Sequence, residues 1–148
     1  MTWRPRQRPR REDRGSAAVE AAILAPPLLA LIAVAIVGGR IQIAGGAIEA
    51  AAHDAARAAS ISRTAGEAHS NAMAAANATL HQQGLHCASL TVTVDTTGFA
   101  VPVGQPAVVS ATTTCVVDLS DLVADGMPGS RTLTATFVST LDTFRQRS

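Results

Sequence analysis

The first residue in this chain that invites a chemical reading is a carboxylate at the mouth of an apolar run. Glu20 is separated from Gly15 by Ser16, Ala17, Ala18 and Val19, and behind it lie 19 residues without a charge, Ala21 to Gly39, closed by Arg40. A carboxylate at that depth in a membrane is costly unless a partner neutralises it, and it marks function by default. The spacing supplies a partner. A peptidase cutting after Gly15 would leave Ser16 with a free α-amino group, mostly cationic at neutral pH because its reference pKa is about 7.7 to 8.0. Glu20 would then be the fifth residue. Between two parallel chains the carboxylate of one can meet the amine of the other, so both charges are covered when subunits stack. A buried polar pair sets the register of a coiled coil in the same sense.

Other reactive groups are sparse. Cys87 and Cys115 both follow the apolar run, on the side expected to be oxidising, so they are expected to pair as a disulfide. A zinc site built on His81, His86 and Cys87 would need a fourth ligand and would strand Cys115, so no metal site is expected. Asp118, Asp121 and Asp125 lack the glycine and terminal glutamate of a calcium loop and read as a solvated acidic face. Asp54 and Arg57 read as a solvated surface pair, and His53 and His69 have no partner close in sequence. All 12 basic residues are arginine, and the missing lysine removes Schiff-base, P-loop and Ser-Lys chemistry. No catalytic residue, cofactor or enzyme activity is expected. With a net charge of +1 the balance gives no sign of a nucleic-acid partner.

The elements that must position these residues follow from composition and period. In 148 residues there is room for one small domain, and 30 alanines with 3% aromatics favour helix over an aromatic core. Residues 1–15 form a basic leader in which Arg4, Arg6, Arg8, Arg10, Arg11 and Arg14 are interleaved with Pro5 and Pro9, and it is expected not to be helical. Residues 16–43 are expected to form a transmembrane helix, since 19 uncharged residues at ~1.5 Å each nearly match a ~30 Å hydrocarbon core. The arginine asymmetry puts the N-terminus in the cytoplasm and the rest of a single-pass cell-membrane protein outside. Residues 44–84 read as an extracytoplasmic helical region: the first helix turns amphipathic, and a second, Glu67 to Gln83, is closed by Gly84. From residue 85 to 148 the period changes to two. Leu90, Val92 and Val94, then Val109 to Val117, then Leu133, Ala135 and Phe137 alternate with polar residues. The expected fold is α+β: a long transmembrane helix continuing into an amphipathic helix packed on a small antiparallel sheet.

Arg14-Gly15-Ser16-Ala17-Ala18-Val19-Glu20, the apolar run with Pro26, Gly39-Arg40 and the stretch Ala-Ala-His53-Asp54-Ala-Ala-Arg57-Ala-Ala together resemble the amino-terminal region of the TadE-like proteins. These are pseudopilin-type components of the bacterial tight-adherence (Flp-type) pilus machinery. The resemblance implies a pilin-like plan for the outer segment, cleavage after Gly15 by a prepilin peptidase, methylation of Ser16, and a Glu20 used in assembly. Its implied partners are that peptidase, other pilin-like subunits and the pilus assembly platform. Asp142-Thr143-Phe144-Arg145 also resembles the Asp, aromatic, Arg ending of many such chains. The expected function is therefore a minor pilin or assembly component. Its rival is a membrane-tethered or secreted binding domain with no filament role, for which Glu20 would have no part in assembly.

Overall fold

The computed structural model describes residues 13–122, 126 and 128–144. Residues 1–12 of the expected leader, together with Asp125 and Arg145, lie outside the described residues. Helix α1 runs Asp13–Ser60, so residues 13–15 are helical where the leader was expected not to be. The last leader proline is Pro9, nothing between it and Pro26 breaks a helix, and an aspartate favours the positive end of a helix dipole. Pro26 and Pro27 lie inside α1. Each removes one backbone donor, a loss tolerated in membrane helices where neighbouring helices and local adjustment re-satisfy the freed carbonyls.

The chain divides into two compact units, at Gly38. The first holds the apolar half of α1, whose Ile23, Leu24, Leu28, Leu29, Leu31 and Val34 are all exposed. This helix is long and apolar enough to cross a membrane.

The second unit builds its core from small side chains. On α1 the buried hydrophobic positions are Ala44, Ala47, Ile48, Ala51, Ala52, Ala55, Ala56 and Ala59, a three-and-four spacing that lines one face. Helix α2, Ala65–Gln82, adds Ala68, Ala72, Ala76 and Leu80 at strict intervals of four. It begins two residues before the expected Glu67 because Thr64 caps it: the Thr64 hydroxyl accepts from the Glu67 N–H at 3.1 Å, while the Glu67 carboxylate accepts from the Arg63 N–H at 3.2 Å. Gly84, with φ of 70°, closes the helix, and the Leu85 N–H reaches back to the Leu80 carbonyl.

Three antiparallel strands complete the unit in the order β1-β2-β3: β1 Ser89–Asp95, β2 Val108–Asp118 and β3 Ser130–Thr140. The expected α+β fold is the one observed. Register is continuous from Val108↔Thr140 to Asp118↔Ser130, with Val92 opposite Thr113 on the other side. The inner face carries Val92, Val109, Ala111, Cys115 and Val117, and among them the buried Thr113 hydroxyl has no hydrogen-bond partner. Threonines fill the outer face, where Thr112 pairs with Thr136 and Thr114 with Thr134 at hydroxyl distances of 2.8 and 3.2 Å. A short 3-10 turn, Thr97–Ala100, follows β1; a Cβ on its buried Gly98 would strike the Val108 carbonyl, so only glycine fits. A four-residue helix, α3 Leu119–Leu122, stands between β2 and β3 and carries Asp121.

Candidate functional site

Gly15 and Ser16 lie in the opening turn of α1, their side chains outside the described residues, and Glu20 is an exposed residue one turn further on. Positions four apart share a helix face at about 5 to 6 Å between Cβ atoms. The amine that cleavage would create and the Glu20 carboxylate therefore belong to one side of one helix, at the head of the exposed apolar stretch. Charge pairing, with that amine and the Glu20 carboxylate as the two poles, is the chemistry a cut after Gly15 would make available there.

Cys87 and Cys115 stand at disulfide distance, with Cα atoms 5.5 Å apart. Cys115 is fully buried at the centre of β2, opposite Leu90 of β1, and Cys87 precedes β1. The link lies where the α2–β1 connection joins the sheet. His81 and His86 sit edge to face with ring centroids 6.0 Å apart. Among the described residues no group of three His, Cys, Asp or Glu side chains could hold a metal ion.

The outer half of α1 carries a polar network that the sequence reading missed. Asp54 is half-buried and joins the two helices: the Thr79 hydroxyl of α2 donates to its Oδ2 at 2.7 Å, and His53 Nδ1 lies 3.3 Å from its Oδ1. The Thr79 bond holds the Asp54 carboxyl below its ordinary value, with His53 and then Arg57 adding to the effect and partial burial opposing it. Arg57 is the weakest of these influences, so Asp54 serves chiefly as a helix-to-helix acceptor and only secondarily as half of a surface ion pair. His53 does have a partner. Its ring meets Phe137 of β3 edge to face at a centroid distance of 4.5 Å, and this contact packs α1 on the edge strand. The Asp54–Thr79 and His53–Phe137 contacts join residues 25 and 84 positions apart, and no local pattern announces them.

At the end of β3 the Asp142 carboxylate accepts from the Phe144 N–H at 3.0 Å, closing a turn that leaves the Phe144 ring 89% exposed. The Gly104 N–H donates to Thr143 in the same region. Asp142 and Phe144 of the carboxy-terminal motif are thus one local structure.

Residues 15–57 match the family described as TadE-like protein. That segment is similar to TadE-like proteins. The match begins at Gly15 and runs through the apolar stretch, Arg40 and the alanine face as far as Arg57, within a single helix. No curated protein and no solved structure matches the chain. The TadE-like family carries the context of tight-adherence pilus assembly, and it agrees with membrane association through the apolar helix.

Proposed function

We propose that this protein is a minor pilin or pseudopilin-like component of a tight-adherence pilus system, cut after Gly15 by a prepilin peptidase and assembled through its N-terminal helix. The observation that carries the reading is the position of the TadE-like match, which opens on Gly15 five residues before the acid at the head of the apolar helix. The arginine arm holds the N-terminus in the cytoplasm until cleavage, and the domain from Arg40 onward lies outside the membrane in a single-pass topology. Cleavage exposes the Ser16 amine. As the subunit is drawn into a filament or its base, Glu20 pairs with the amine of a neighbouring subunit, so that assembly is registered by one ion pair per interface. The role is structural and has no catalytic step.

A charge-removing substitution tests it. Glu20→Gln should leave membrane insertion and cleavage intact while cutting recovery of the protein in the sheared surface or platform-bound fraction several-fold. Unchanged recovery would favour a membrane-tethered binding domain with no filament role.

A further inference from the structure

A cavity of about 210 Å³ opens beside Arg40, bounded by Ile43, Ala44 and Ala47 of α1, by Gln83, Gly84 and Leu85 at the end of α2, and by Asp121 of α3. Its walls are mainly apolar, and it is smaller than the roughly 300 to 1,000 Å³ pockets that enclose drug-sized molecules. Two opposite charges line it without meeting: no ion pair joins Arg40 to Asp121. The C-terminal end of α2 also lines the cavity and brings the negative pole of a helix dipole to it. The lining thus holds one cation, Arg40, and two anionic elements, Asp121 and the α2 C-terminus.

Its position along the chain is equally informative. Arg40 is the first charged residue after Gly39, and Ile43, one turn later on the cavity wall, is 71% exposed. Three residues of helix advance about 4.5 Å, within the interfacial layer of roughly 5 to 8 Å on each side of a bilayer's hydrocarbon core. On the membrane-spanning reading, Arg40 and the exposed Ile43 fall in that layer, where an arginine can reach the headgroups while its stem stays in apolar surroundings. We infer that the cavity takes the phosphoethanolamine headgroup of a membrane phospholipid, the phosphate against Arg40 and the ammonium against Asp121 and the α2 C-terminus. The inference rests on the membrane-spanning reading above. Charge complementarity selects a zwitterion: an anionic headgroup would leave Asp121 unanswered, and a choline headgroup would offer the anionic side no N–H donor.

The test uses the full chain in nanodiscs made of equal parts phosphatidylethanolamine, phosphatidylglycerol and phosphatidylcholine, with retained lipid read by native mass spectrometry and insertion checked by flotation. The expected result is one phosphatidylethanolamine retained about fivefold over either competitor, equivalent to roughly 1 kcal/mol. Arg40→Gln and Asp121→Asn should each bring the ratio towards one, while Glu49→Gln, on an exposed α1 position away from the cavity, leaves it unchanged. Unchanged thermal unfolding keeps the variants interpretable. An inserted protein with no preference, or one retaining phosphatidylglycerol or phosphatidylcholine equally well, overturns the headgroup assignment alone. A chain that does not insert overturns the assignment and the membrane reading together.

Discussion

Helix α1 is built two ways. Up to Gly38 its bulky side chains, Ile23, Leu24, Leu28, Leu29, Leu31 and Val34 among them, are exposed, whereas from Ala44 to Ala59 its inward positions are nearly all alanine and fully buried. The difference teaches what each half is built to meet. On the proposed reading the first half meets lipid tails, which conform to any apolar surface, so large side chains serve there and exact shape does not matter. A protein neighbour is rigid and close-packed, so the half that meets α2 and the sheet is trimmed to methyl groups that let the backbones approach. One continuous helix thus carries a tolerant half and an exacting half.

The comparison can be broken or sharpened by substitution and denaturation of the full chain in detergent micelles. The largest effect is expected from the cysteine pair that braces the sheet in the same unit as the exacting half. Replacing both Cys87 and Cys115 with serine should cost about 3.6 kcal/mol, given a loop of 28 residues, and reductant should do the same to the parent protein. Next, Ala55→Leu should destabilise by roughly 1 to 3 kcal/mol through overpacking, while Ala33→Leu in the apolar half should leave the unfolding midpoint unmoved. Equal costs at the two sites would erase the distinction between the halves. Thr113→Val should stabilise by about 1 kcal/mol, because it removes a buried hydroxyl that has no partner and keeps the β-branched shape.

The smallest effect concerns pH. The folded protein holds the Asp54 carboxyl below its ordinary value near 3.8, mainly through the Thr79 hydroxyl. The unfolded chain therefore takes up that proton first. The associated stability is fully present above the ordinary value and is lost as pH falls through the lower folded one. Thr79→Val should cost about 0.5 kcal/mol at neutral pH and flatten this acid limb. Urea midpoints measured between pH 6 and pH 2.5 would show it, and an unchanged acid limb would mean that Asp54 does not depend on α2.

Local features carried most of the fold into the sequence. The change of period after Gly84 marked all three strands, and the charge-free run marked the helix that could cross a membrane. The capping box Thr64-x-x-Glu67 was also legible and would have set the start of α2 at Ala65. What local pattern could not supply were contacts closed by the tertiary fold. Thr79 reaches Asp54 only after α2 has folded back on α1, and Phe137 meets His53 only once β3 is in register with β2. The short helix α3 was hidden for another reason. Leu119–Leu122 is four residues, too few to show a period. At the amino end, Gly15, Ser16 and Glu20 were legible as a spacing, and their chemistry depends on a cut.

That cut is open to direct observation. The intact mass and N-terminal sequence of the protein extracted from its native membranes test it in a single determination. The proposed function predicts a chain beginning at Ser16, with or without one added methyl group. A chain that retains the arginine arm, or one that begins beyond the apolar run near Ala47, would contradict assembly through Glu20 and a neighbour's amine.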